Sequence, residues 1–239
     1  YAEGDEDFTT FVECYAAGKS DESLKEHVLD LYDASMSNPW PEEWLDGCVE
    51  NYCLDPEKGI VETKWYQSLW EIVDSALKEA EELNRSAMEI CGESEGPELY
   101  LDALQKDLVL IRQLQELSDK QDYDQMVQTL QNLSFARLST KKMEGVSSQL
   151  KSLVKDIRED AKDILKDLGS RYFQCSLEEL TELTLASAGP LKMLVKLTKD
   201  FAQRFSDKKR EKNVLDFSDM EHFALEILLK KEGDICTPS

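Results

Sequence analysis

The side chains best placed to do chemistry are cations, and they gather in three places. Arg137, Lys141 and Lys142 fall in and beside a polar, basic stretch, SFARLSTKK. Arg204, Lys208, Lys209, Arg210 and Lys212 lie in and just before the charged run SDKKREKN. Lys151, Lys155, Arg158, Lys162 and Lys166 recur at three and four, a spacing that lines them along one side of a helix. Such groups can hold phosphate oxygens without reading bases, as a protein that tracks nucleic acid of any sequence requires. The other reading of each group is solvated surface. On the helix Asp156, Glu159, Asp160, Asp163 and Asp167 interleave with the cations, and pairs such as Lys155 with Glu159 would each contribute about 0.3 kcal/mol. Phe135 is the nearest candidate for a base-stacking ring, and core is its first reading.

Other chemistry is hard to place. The chain has two histidines, His27 and His222, both read as ordinary residues at the edge of an apolar face, so proton carriers are scarce. Carboxylate pairs such as Asp156 with Asp160 or Asp163 with Asp167 are what any acidic solvated helix face carries. Six cysteines, Cys14, Cys48, Cys53, Cys91, Cys175 and Cys236, include no C-x-x-C. Reduced thiols serving as small packing groups are the first reading, one oxidised pair the second and zinc the last. There is no phosphate loop, G-x-S-x-G, H-E-x-x-H or deaminase pattern. No residue is assigned a catalytic, cofactor-binding or metal role.

The elements that must position these cations come from periodicity. The chain has 239 residues with 28 Lys+Arg against 50 Asp+Glu, so its net charge is 28 − 50 = −22, which repels nucleic acid on average and confines phosphate contact to local patches. With 41% apolar residues, ten Gly and six Pro, the composition is that of a globular domain. No apolar run is long enough to span a membrane and no signal segment is visible, so a cytoplasmic location is expected.

Apolar residues recur at three and four nearly throughout, and no alternating run is long enough for a strand, so the expected class is all-α, an elongated multi-helix bundle. Phe8, Phe11, Val12 and Tyr15 predict a first helix ending at Gly18. Leu24, Val28, Leu31, Tyr32 and Ser35 predict a second, broken at SNPWP, and Pro41 opens a third. Thr63 caps a helix of about 27 residues whose inner side carries Trp65, Leu69, Ile72, Val73, Ala76, Ala80, Leu83, Ala87 and Cys91. GESEGP breaks it. Tyr100 to Leu114 and Tyr123 to Leu133 mark two more helices, and Val146, Leu150, Leu153, Val154, Ile157, Ala161, Ile164, Leu165 and Leu168 a long one. SLEE at Ser176 is a capping box opening a helix that stops at Gly189-Pro190; another helix follows to Phe205, and SDME at Ser218 caps a last one. The division expected is 1–62, short helices packed on the bundle; 63–213, the bundle; and 214–239, the final helix.

VLDFSDMEHFALEILL at Val214–Leu229, preceded by KKREKN, resembles a segment found in the A-type subunits of ATP-dependent helicase–nucleases, the Add-type relatives of RecB within the UvrD/Rep helicase superfamily. SDESLKEHVLDLYDASMSNPWPEEWLD and VKDIREDAKDILKDL followed by RYF are similar to the same family's inserted helical region, so the resemblance spans most of the chain. It implies a noncatalytic helical insertion, called 1B, within the first RecA-like motor domain. Asp216, Phe217 and Asp219 match the signature at the insertion's exit, with a role in fixing that chain turn, or in touching DNA directly. The parent is expected to use ATP and magnesium, to unwind DNA, and to process double-strand breaks for recombinational repair with a second subunit. The missing phosphate loop and magnesium motif then describe an excerpt. Whether this piece touches DNA or docks a partner protein through its acidic faces is open at this point.

Overall fold

The computed structural model describes residues 6–15, 22–50, 52–54, 59–232 and 235–238. In chain order the helices are α1 (Glu6–Tyr15), α2 (Glu22–Met36), α3 (Pro41–Glu50), α4 (Lys64–Cys91), α5 (Leu101–Lys120), α6 (Tyr123–Gln131), α7 (Ser148–Tyr172), α8 (Leu177–Lys212) and α9 (Phe217–Leu228), then strands β1 (Leu229–Glu232) and β2 (Ile235–Pro238). Many of the starts are written in the sequence. Thr63 Oγ1 accepts from Tyr66 N at the head of α4, Asp122 from Gln125 N at α6, and Ser147 from Leu150 N at α7. Ser176 and Glu179 exchange the two bonds of the predicted capping box at α8.

The chain divides into two units, residues 57–181 and residues 1–56 with 182–239. In the unit 57–181, buried positions alternate by four and three. They are Tyr66, Trp70, Val73, Leu77, Ala80, Asn84, Ala87 and Cys91 on α4, and Val154, Arg158, Ala161, Leu165 and Leu168 on α7. This heptad seam lets long helices lie side by side over many turns. Glu81 bonds Gln115 on α5, and Val154 packs with Cys91 and Leu104, so α5 and α7 both run opposite to α4. An aromatic cluster of Tyr66, Trp70, Tyr123 and Phe173 fills one end. Each fully buried Leu or Ile, such as Leu77, Leu104 and Ile111, contributes about 1.5–3 kcal/mol before entropy is charged against it.

The predicted stripes are turned relative to this seam. Ile72 and Leu153, expected inside, are 46% and 44% exposed. The seam runs through Asn84, Asp107 and Arg158, polar residues that a search for apolar periodicity passes over.

In the other unit Phe11, Met193 and Leu194 form a core with Phe8, Val12, Leu24, Val28 and Leu31. Tyr32 packs edge-on against Phe201 and Phe205. The helix stop expected at Gly189-Pro190 does not occur: α8 runs through it. Proline there removes one backbone donor, a loss on the order of 3 kcal/mol in an exposed helix, but Pro190 and the following Met193, Leu194, Val195 and Thr198 are buried and their packing offsets it. α9 is capped two residues earlier than predicted, by Asp216 instead of Ser218, because Asp216 and Asp219 form the box. The strand-free expectation also fails at one place, where β1 and β2 pair antiparallel, Leu229 opposite Pro238 and Glu232 opposite Ile235. Four-residue strands are too short to show alternation. The class is otherwise all-α, and no described helix is long and apolar enough to cross a membrane. The predicted end of α1 at Gly18 and the side chain of Cys236 lie outside the described residues.

Candidate nucleic-acid interface

Residues 132–147 join α6 to α7 without helix or strand, yet they are held at several points. Phe135 lies half-buried under the Lys162 ammonium, 5.1 Å from ring centre to Nζ. The Ala136 carbonyl accepts from Arg158 Nη2 at 2.6 Å. Leu138 and Met143 pack on the cluster of Ala87, Cys91, Tyr100, Leu104 and Val154, and Ser147 N donates to Glu95 O at 3.0 Å. Arg137, Lys141 and Lys142 stay exposed between these anchors. Lys142 Nζ is 3.7 Å from Glu144, a pair so exposed that solvent screens it; among the described residues no carboxylate lies within 4.0 Å of Arg137 or Lys141. Three cations thus stand on a backbone fixed by packing.

Arg158 is the main anchor. Its Nε donates to Asp107 Oδ2 at 2.6 Å and its Nη2 to Asp107 Oδ1 at 3.2 Å, with both side chains buried. This corrects the reading of Arg158 as one of a solvent-facing line on α7. The rest of that line also pairs differently from expectation: Glu159 bonds Lys162 and Lys166, not Lys155. Those two hydrogen bonds pull the Glu159 carboxyl down to about 2. Asp107 was not singled out by the sequence, although a charged residue at a seam position of α5, three after Leu104, is a signal that could have found it.

The second basic group comes apart. Lys209 is 8% exposed, with Nζ 2.9 Å from Asp216 Oδ2, 2.6 Å from Asp219 Oδ1 and 4.7 Å over the Phe205 ring. Burial lowers its pKa, but the hydrogen bonds it donates to Asp219 and Asp216 outweigh it and the net shift is upward. Asp216 is held low by the Asp219 backbone N–H and by Lys209. Lys209 is therefore turned inward, where it holds the start of α9. Lys208 pairs with Glu211 at 2.7 Å and Arg210 approaches Asp207 at 3.8 Å, both exposed. Arg204 and Lys212 are exposed with no carboxylate within 4.0 Å among the described residues. Phe217, the third signature residue, is 82% exposed.

His27 stacks edge-on with Tyr15, and His222 sits between two carbonyls, Ser218 O at 2.8 Å from Nδ1 and Asn38 O at 3.0 Å from Nε2. Cys91 is buried, which raises its thiol to about 11, whereas Cys14 and Cys53 are exposed and do not serve the packing role expected of them. Among the described residues no group of three or more His, Cys, Asp or Glu side chains could hold a metal ion.

No family model matches the chain. Curated proteins do. The A subunit of an ATP-dependent helicase/nuclease of Lachnoclostridium phytofermentans is 39% identical over 241 residues, covering 100% of this chain and 18% of that protein. Proteins of the same name from Clostridium beijerinckii and Acetivibrio thermocellus are 34% and 33% identical over 95% and 98% of this chain, again 18% and 19% of their own lengths. The chain thus spans about a fifth of the relatives it matches.

Proposed function

Because the chain is homologous over its whole length to one segment of these ATP-dependent helicase/nuclease proteins, we propose that it is a noncatalytic helical subdomain of the 1B kind in such an enzyme, guiding DNA beside the motor during double-strand break repair. ATP and magnesium belong to the parent enzyme's motor, and its second subunit is the protein partner. The observation that carries the reading is the anchored 132–147 segment, which presents Arg137, Lys141 and Lys142 on a chain otherwise strongly acidic. Cations on a fixed backbone contact phosphates at little ordering cost, and they do so whatever the base sequence.

In the longer protein, replacing Arg137, Lys141 and Lys142 together by Ala should weaken DNA binding and DNA-stimulated ATP hydrolysis while leaving basal hydrolysis intact. The dependence of log K on log salt should become shallower by about 0.7–0.9 for each phosphate no longer neutralised. An unchanged slope with unchanged unwinding rejects the guiding role. The net charge of −22 favours a second reading, a module that docks the second subunit through acidic faces without DNA contact. It predicts that the triple variant binds DNA normally and that salt weakens the pairing of the two subunits instead.

A further inference from the structure

α8 is gripped at its two ends by different units and scarcely at all between them. At its start Leu177 N donates to Asp124 Oδ1 at 2.9 Å, and just ahead of it Gln131 Nε2 donates to the Gln174 carbonyl at 3.1 Å, all within the unit 57–181. Beyond Pro190 it is packed into the other unit, with Met193 and Leu194 in the core around Phe11 and Phe201 against Tyr32. The boundary between the units, Thr181 to Glu182, thus falls inside a continuous helix. From Leu177 to Gly189 only Thr184 has a buried side chain, and Leu183 and Leu185 are 59% and 52% exposed. α4, by contrast, buries a side chain every three or four residues along its whole length. Helices in proteins owe most of their stability to a packed face, and an unpacked stretch of about a dozen residues is marginal in water.

The residues of this stretch weaken it further. The capping box of Ser176 and Glu179 fixes only the first turn. Thr181 Oγ1 and Ser187 Oγ donate back to the Leu177 and Leu183 carbonyls at 2.7 and 2.8 Å, bonds of a kind that bend helices. Gly189 is a poor helix former, and Pro190 has no N–H to offer the Ala186 carbonyl four residues back. These are the local signals that predict a stop at Gly189-Pro190, and the packing that overrides them lies at Pro190 and beyond it. The chain crosses between the units at one other place, 56/57, within the turn-forming sequence LDPEKG. From this arrangement we infer that residues 181–189 are a hinge, a length of helix that opens and bends so that the unit 57–181, which carries the basic 132–147 segment, swings on the other. The hinge needs no DNA contact and goes beyond the guiding role proposed for the cations.

Hydrogen–deuterium exchange of the longer protein, without DNA or any other protein, tests it directly. Corrected for intrinsic rates, the amides of 182–189 should exchange about a hundredfold faster than those of 194–201 on the same helix, as a locally opening segment does beside a packed one. Equal protection of the two stretches overturns the inference, whether 182–189 is rigid by itself or is covered by other parts of the longer polypeptide. Thr181→Ala with Ser187→Ala gives an independent reading, because neither side chain is buried and alanine is the best helix former. The double variant should slow exchange across 182–189 about fivefold and leave 194–201 as it was. An unchanged rate overturns the hinge. Spin labels carried by non-cysteine residues at Lys106 on α5 and Lys192 on α8, both exposed, read the motion itself. Their distance distribution should be broad and should narrow in the double variant, whereas labels at Lys64 and Lys106, within one unit, should give one narrow distance in both proteins. A single narrow distance between Lys106 and Lys192 in the unaltered protein overturns the inference. None of these readouts depends on Arg137, Lys141 or Lys142, so failure here and failure of the DNA-guiding reading are told apart.

Discussion

Arg158 and Asp107 bury opposite charges at adjoining seam positions of α7 and α5, and the same guanidinium holds the Ala136 carbonyl of the basic segment. Taking away one charge strands the other in a dry interface. Arg158→Met should therefore lower the free energy of unfolding by about 3–5 kcal/mol in urea titration, and Asp107→Leu added to it should recover much of that loss, as buried pairs replaced by apolar residues often do. A double variant no better than the single one would show that the carbonyl bond, not the ion pair, matters. A second residue-scale consequence concerns pH. Asp216 is depressed in the folded chain, so its stabilisation is present above the ordinary carboxylate value of about 3.9 and is lost as pH falls through its folded value. Lys209 is raised, so its contribution is present below about 10.4 and is lost as pH rises through its folded value. The amide protection factor at the start of α9, with the intrinsic pH dependence of exchange divided out, should be highest between those limits, and Lys209→Met should remove the loss on the alkaline side and part of that on the acid side, the Asp219 backbone N–H still holding Asp216 low. These pairs were invisible in the sequence because each partner, taken alone, looks like surface charge.

At the scale of elements, capping chemistry was the most legible feature. Thr63 and the Ser176–Glu179 box are local, and nothing distant competes with them. Pro190 and the start of α9 were misread because the deciding terms are not local: burial along α8 offsets the missing donor, and Lys209, seven residues before Asp216, favours that residue as the cap over Ser218. The turn between α4 and α5 was read correctly as a break, and the structure adds why it is tight. A Cβ at Gly96 would collide with the carbonyl of Ile90 and crowd that of Cys91, both backbone atoms that cannot swing aside. Gly96→Ala should cost about 1–3 kcal/mol, seen as a lower midpoint in thermal unfolding, whereas Gly47→Ala, with open space around it, should cause no such loss.

Across the whole molecule, periodicity announced helices and composition an acidic chain, and both stand; which segments share a core followed from neither. Phe11 and Leu194 meet although 183 residues part them, and no periodicity within either segment specifies that partner. The charge, by contrast, acts globally and gives opposed responses to salt. With 50 acidic against 28 basic groups the folded chain repels itself, while its exposed ion pairs, Lys78 with Asp74 or Lys106 with Asp102, contribute little. The Debye length shrinks from about 30 Å at 0.01 M to about 8 Å at 0.15 M salt, so screening relieves long-range repulsion before it touches contacts at about 3 Å. Raising sodium chloride over that range should therefore raise the thermal midpoint of the chain, while the proposed DNA-guiding role of Arg137, Lys141 and Lys142 requires that the same salt weaken DNA binding by the longer protein. A midpoint that falls with salt would mean that the exposed ion pairs outweigh the repulsion, and the acidic surplus would then be ordered into favourable local pairs instead of spread as a uniform strain.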